Sequence, residues 1–118
     1  VARDDLTLPL LTELATLDDA TFRARFAGSP IKRTGRDRFV RNVLVALGNS
    51  EDSSAVPVVQ RLLGDDSPLV RGMAVWALAR LAPHTLRRQA HLADTEDDDH
   101  VRDEWRTALV AAPLGDSR

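Results

Sequence analysis

SPIKRTGRDRFVRNVLVALGN, residues 29–49, sets a short basic lead-in directly against the most strongly patterned amphipathic segment of the chain. On a 3.6-residue helical wheel Phe39, Val40, Val43, Leu44, Ala46 and Leu47 share one broad face, and Arg38, Arg41, Asn42 and Asn49 gather opposite. The first face requires a core; the second is polar. Ahead of this helix Ser29, Pro30, Thr34 and Gly35 predict an irregular loop, and Lys32, Arg33 and Arg36 crowd positive charge near the helix N-terminus. The helix dipole already makes that end positive, so these cations add nothing to the helix. They are either solvated or arranged to receive an anion.

Outward from this segment, caps, apolar spacing and stop signals continue in the same manner. Leu6, Leu10, Leu14 and Leu17 predict a helix over 6–17, with Thr7 as its cap and Pro9 in its first turn, while residues 1–5 are expected to fray. Asp18 or Asp19 can cap a second helix through Phe26, with Phe22 and Phe26 one turn apart and Gly28 as the stop. Past the central helix, Gly48 and Asn49 end it, and Ser53 or Ser54 can cap a helix carrying Val56, Pro57, Val59, Leu62 and Leu63 as far as Gly64. Asp65, Asp66, Ser67 and Pro68 read as turn, cap and first helical residue of a helix over 69–81. A weaker helix over 85–93, an acidic turn and a final helix over 98–111 follow.

A repeat joins these helices into one fold. At an offset of 31, Phe39, Val70 and Val101 fall together, as do Val43, Ala74 and Trp105, then Ala46, Ala77 and Ala108, then Leu47, Leu78 and Leu109. Asp66 and Asp97 align in the same register. The competing match of Val40-Arg41 to Val70-Arg71 needs an offset of 30 and breaks the alanine and leucine columns. Small side chains in one column let neighbouring helices approach closely, and VRGMAVWAL, residues 70–78, resembles the second helix of HEAT-like repeats. The expected fold is all-α: a HEAT-like (PBS-lyase-type) solenoid of about three helix pairs over 18–112, with a lead-in helix over 1–17 and a disordered tail over 113–118. Trp105 is expected to seal the last unit.

A chain of 118 residues, 43% hydrophobic and 29% charged, has the size and composition of one soluble domain. Apolar runs fall short of a bilayer span and no leader pattern opens the sequence, which predicts a cytoplasmic protein without membrane contact, expected to be monomeric. Val1 in place of an initiator Met fits a domain cut from a longer chain. With no cysteine, the sequence offers no disulfide, thiolate nucleophile or iron-sulfur ligand. The net charge of −2 is uninformative, but its distribution is uneven. Arg23, Arg25, Lys32, Arg33, Arg36, Arg38 and Arg41 face one acid, Asp37, whereas Asp94, Glu96, Asp97, Asp98, Asp99, Asp103 and Glu104 crowd a later stretch.

FRARFAGSPIKR, residues 22–33, followed by RDRFVRNVLVALGNS, residues 36–50, resembles the C-terminal helical domain of epoxyqueuosine reductases, enzymes of tRNA wobble-base modification. Phe22, Arg23, Phe26, Ser29, Pro30, Ile31, Lys32, Arg33, Arg41, Asn42, Ala46, Leu47, Gly48 and Asn49 carry the match, which covers about half of the chain closely. The resemblance implies an iron-sulfur and cobalamin oxidoreductase of queuosine biosynthesis whose HEAT-like module helps hold the tRNA anticodon arm. The [4Fe-4S] clusters and the cobalamin would then sit in N-terminal catalytic domains, with no cofactor in these residues. Lys32, Arg33, Arg36, Arg38 and Arg41 are expected to hold backbone phosphates, with Asn42 and Asn49 able to hydrogen-bond sugar or base edges.

Other candidates read as structural. Arg71 and Arg102 each follow a core Val and are expected to form inter-repeat ion pairs or caps with Asp66 or Asp97. Trp76 can stack on a base or pack against Val59 or Leu63. His84, His91 and His100 lack companions for a metal set, and no catalytic motif can be assembled. Two alternatives to RNA docking remain: a protein-interaction module working through apolar anchors, and a DNA-binding helical-repeat enzyme similar to alkylpurine glycosylases.

Overall fold

A computed structural model describes the backbone of residues 2–111, with side chains from Leu8 onward. Its helices are α1 (Ala2–Ala15), α2 (Asp19–Arg25), α3 (Arg36–Asn49), α4 (Val56–Leu62), α5 (Pro68–Leu81), α6 (Pro83–Arg88) and α7 (Asp99–Ala111), with 3-10 segments at Pro30–Thr34, Ser53–Ala55 and Ala90–Thr95. The stack is α3 on α5 on α7; α1 packs along α3, while α4 and α6 pack along α5. The all-α helical-repeat solenoid expected from the sequence is the fold observed. Its core joins Val40, Leu44 and Leu47 of α3 to Val70, Ala74, Ala77 and Leu78 of α5 and to Val101, Trp105 and Ala108 of α7. Ala15 of α1, Val59 of α4 and Leu86 of α6 close it from the other side. Each large aliphatic residue in such a core contributes about 1.5–3 kcal/mol. With few aromatics available, Trp105 is the large side chain that fills the last unit beside Leu86, Val101 and Ala108.

Helix starts follow side-chain chemistry. Asp18 caps α2 in a reciprocal box: the Thr21 N–H donates to Asp18 Oδ1 at 2.8 Å and the Asp18 N–H to Thr21 Oγ1 at 3.1 Å. Ser67 caps α5 through the Val70 N–H at 3.4 Å, with Pro68 in the first position, and Asp98 accepts from the Val101 N–H at 3.0 Å ahead of α7. Three expectations need correction. α1 begins at Ala2, so Thr7 and Pro9 lie inside it and Pro9 removes one backbone bond from its middle. Asp52, not Ser53 or Ser54, provides the cap before α4, accepting from the Ser54 N–H at 2.9 Å. The helix expected over 85–93 is instead α6, which starts at Pro83 and stops at Arg88 because Gln89 leaves helical geometry (φ −99°, ψ 8°). The tail over 113–118 lies outside the described residues.

The repeat register shifts by one in the first unit. Ala46 is exposed on α3, whereas Ala77 and Ala108, its expected column-mates, are buried. The fully buried series Val40, Leu44 and Leu47 corresponds instead to Val70, Ala74 and Ala77 at an offset of 30, and from there to Val101, Trp105 and Ala108 at 31. The acids that repeat are Asp65 and Glu96, each one residue before the expected Asp66 and Asp97. Asp65 Oδ2 accepts the Ser67 N–H and Glu96 Oε2 accepts the Asp98 N–H, both at 3.0 Å. Each also receives a guanidinium from the preceding unit, Arg36 on Asp65 and Arg71 on Glu96. These clamps fix successive units in register.

Candidate nucleic-acid interface

The basic lead-in is ordered by its neighbours rather than left irregular. Phe22 of α2 and Phe26, its C-cap, meet Phe39 of α3 in a three-ring cluster with centroids 5.1–5.3 Å apart, which anchors α2 against the start of α3. The connection between them winds into the 3-10 turn Pro30–Thr34, capped by Ser29 Oγ on the Ile31 N–H at 3.2 Å. Gly35, at φ +83°, makes the left-handed step from this turn into α3 that a side chain would resist. The turn therefore holds Lys32 and Arg33 outward beside a concavity shared with Gly28, Ser29 and Pro30.

The sequence-derived site residues divide into four groups. Lys32, Arg33 and Arg38 are exposed and form no ion pair with any described residue. Asn42 and Asn49 are also exposed, and with Arg38 they sit at i, i+4 and i+11, one line along the side of α3 opposite its buried face. That line runs about 16 Å. Arg41 is half-buried on the flank, donating from Nη1 to Asn42 Oδ1 at 3.3 Å, while its buried Nε has no partner. A second hollow, between α2 and the N-terminal ends of α3 and α5, is lined by Asp19, Thr34, Gly35, Asp37, Arg38 and Leu69 among others.

Arg36 is the most engaged of the expected site residues. Its guanidinium donates to both Asp65 oxygens at 2.8 and 2.9 Å, to Asp37 at 3.0 Å and, through Nε, to the Leu17 carbonyl at 2.7 Å. Only 13% of this side chain is exposed. Arg36 is thus a staple between the end of α1, the start of α3 and the α4–α5 turn, with four of its N–H donors engaged inside the chain. The Asp65 hydrogen bonds raise the Arg36 pKa against the effect of burial. Burial pushes the Asp65 carboxyl up, but the Arg36 and Ser67 hydrogen bonds and the charges of Arg36 and Arg71 outweigh it and hold Asp65 below its ordinary value. Arg71 repeats the device, with Nε and Nη2 on Glu96 at 3.0 and 2.7 Å and Nη1 on the Asp65 and Asp66 carbonyls, both at 3.0 Å. The Arg71 hydrogen bonds keep the Glu96 carboxyl low. Arg71 is structural as expected, although its main carboxylate is Glu96 rather than Asp66 or Asp97.

One grouping escaped the sequence reading. Trp76 of α5 lies against Gly48 of α3, where a Cβ would stand 2.6 Å from Trp76 Cζ3 and 3.2 Å from the Cα and Cβ of Ala77. Arg80 sits over the indole, 5.2 Å from its centroid, and its Nε donates to the Gly48 carbonyl at 3.2 Å. The signal available was the spacing of Trp76 and Arg80, one helical turn apart on α5. The acidic stretch lies around the start of α7, separated from α3 by α5. There Arg102 pairs with Asp99 and Arg106 with Asp103, while burial and the Asp103 charge push the Glu104 carboxyl up. Among the described residues no three His, Asp or Glu side chains are grouped to hold a metal ion, and no helix is long and apolar enough to cross a membrane.

Comparison with known proteins adds family context. The family described as HEAT repeats matches residues 33–110. An epoxyqueuosine reductase of Xanthomonas campestris pv. campestris is 44% identical over 80 residues, covering 67% of this chain and 22% of that protein. One from Pseudomonas aeruginosa is 41% identical over 73 residues, covering 59% and 20%. The fold superposes on a crystal structure of epoxyqueuosine reductase with an epoxyqueuosine-modified tRNA-Tyr stem loop at a TM-score of 0.78, with 24% identity, over 85% of this chain and 27% of that one. The chain thus spans about a fifth to a quarter of the length of these relatives.

Proposed function

Because this chain belongs to the HEAT-repeat family and its relatives include epoxyqueuosine reductases, we propose that it is the tRNA-docking, C-terminal domain of an epoxyqueuosine reductase-like oxidoreductase. The observation that carries the reading is the set of exposed cations Lys32, Arg33 and Arg38, held on a capped turn and the first turn of α3 without carboxylate partners among the described residues. Phosphates of an RNA stem neutralise these cations and release counterions, which supplies affinity without sequence choice. Asn42 and Asn49, on the same line, hydrogen-bond sugar or base edges, and Arg41 adds charge from the flank. A relative solved with a tRNA stem loop supports the choice of RNA. The anticodon arm is the part held, and the domain works in the cytoplasm.

The chemistry belongs elsewhere in such a protein. Iron-sulfur clusters require thiolates, and this sequence has no cysteine, so the clusters are not built from these residues. The domain contributes orientation: rigid helices present the cations together, so that the modified base is delivered to catalytic domains of the same protein. A protein-interaction module would need a contiguous apolar anchor. Among the described residues the exposed large hydrophobics Leu10, Ile31, Leu69 and Val110 are instead spread over α1, the 3-10 turn, α5 and α7.

Titrating a fluorescent anticodon stem-loop RNA with the 118-residue chain at several salt concentrations tests this function. Affinity should fall steeply with salt, with a log–log slope near about −2 to −3 for three to four phosphate contacts. Absence of binding at low salt, or a slope near zero, overturns it.

A further inference from the structure

Arg80 is held by α3 rather than by a carboxylate. Its Nε donates to the Gly48 carbonyl and its Cζ lies over the Trp76 ring, 5.2 Å from the centroid, while Trp76 in turn rests on the bare Cα of Gly48. Both Nη groups are left without a hydrogen-bond partner among the described residues, on an exposed side chain. A guanidinium fixed by Nε and by its cation-π contact, with both Nη donors free, has the geometry that grips a phosphate with two hydrogen bonds. Little side-chain entropy remains to be lost when it binds, because the indole and the carbonyl have already restricted the rotamers.

Its position gives the ligand. Gly48 immediately precedes Asn49, the last residue of the polar line that begins at Arg38. Arg80 therefore places positive charge at the far end of α3, where the helix dipole alone would repel an anion. Cations at both ends of the line let a phosphate chain run the length of the helix. We infer that Arg80 is a preorganised backbone-phosphate contact for RNA, set in place by Trp76 and Gly48, which extends the interface from α3 onto α5. This inference rests on the RNA-docking function proposed above and adds a residue and an RNA path to it. The competing role is a plain C-terminal cap of α3, in which Arg80 serves an orphan carbonyl and nothing else.

Wild type, Arg80→Gln, Arg80→Lys and Arg38→Glu are titrated with the same stem-loop RNA across a salt series, and each is melted in parallel. Arg80→Gln should bind about tenfold more weakly and lose about 0.7–0.9 from the magnitude of the log–log salt slope, with its melting temperature little changed. Arg80→Lys, which keeps charge but lacks the fork, should recover the slope and only part of the affinity. If Arg80→Gln binds with wild-type affinity and slope while Arg38→Glu fails, the Arg80 inference is overturned and RNA docking stands. A lower melting temperature with an unchanged slope makes Arg80 a cap only and also overturns it. If wild type itself does not bind, the docking function falls and this inference with it.

Discussion

Replacing Gly48 with Ala tests the packing that joins α3 to α5, because two known effects oppose each other in sign. In a solvated helix interior Gly→Ala stabilises by about 1 kcal/mol. Here the new Cβ would stand 2.6 Å from Trp76 Cζ3 and 3.2 Å from the Cα and Cβ of Ala77. The ring can swing away, but Ala77 is fixed by its own buried backbone, so relief requires α3 and α5 to separate by a few tenths of an ångström. Overpacking of this kind costs about 1–3 kcal/mol, and the backbone contact places it in the upper half of that range. The net expectation is a loss of about 1–2 kcal/mol. For a domain of this size that lowers the melting temperature by roughly 4–8 °C, followed by thermal circular dichroism. In a Trp76→Val background the ring overlap is gone but the Ala77 contact stays, so most of the penalty for Gly48→Ala should persist. A melting temperature that rises in the wild-type background would refute the close approach.

Other consequences follow from the clamps and caps. Asp65→Asn leaves Arg36, only 13% exposed, with the more exposed Asp37 as its remaining carboxylate, and should cost about 2–3 kcal/mol in denaturant unfolding, whereas a loss below about 0.5 kcal/mol would make the clamp incidental. Asp65 and Glu96 both titrate below their ordinary values in the folded chain, so their contribution is complete above the unfolded-state pKa of about 4 and is lost as pH falls through the lower folded values. Stability should therefore drop on acidification below about pH 4, and Asp65→Asn with Glu96→Gln should flatten that limb in a pH series of unfolding curves. Ser67→Ala removes the acceptor for the Val70 amide and should cost about 1 kcal/mol, read as a shift in the melting temperature. Ala77→Leu should cost about 1–3 kcal/mol or more because Ala77 is fully buried beside Gly48; a neutral variant would contradict that contact.

Local chemistry explains which parts of this molecule were legible in the sequence. Val101, Trp105 and Ala108 took their expected places against Val70, Ala74 and Ala77 because helix periodicity and small residues record burial directly. Ser67, Pro68 and Gly28 announced helix boundaries for the same local reason. The first unit slipped because it is one residue closer to the second than the second is to the third, and Phe39 and Ala46 are apolar enough to imitate core positions one place away. Arg36 illustrates the limit for the site. In sequence it is one more cation of a basic run, while its partner Asp65 lies 29 residues away and becomes a neighbour only when α3 stacks on α5. Arg38, two residues later, points away from that contact and keeps its charge available. Trp76 was a candidate in sequence, but its grouping with Arg80 and Gly48 was not legible for a related reason: it depends on the absence of a side chain at Gly48, a property of another helix.

The most direct measurement is the affinity of the Arg33→Glu, Arg38→Glu double variant for an anticodon stem-loop RNA at low salt, with circular dichroism recorded on the same sample. Both residues are exposed and have no ion pair with a described residue, so the helical signal should remain at the wild-type level. Binding should weaken by on the order of a hundredfold, from the loss of two charge-assisted phosphate contacts and the repulsion that replaces them. A variant that keeps both its helices and wild-type affinity would contradict the account.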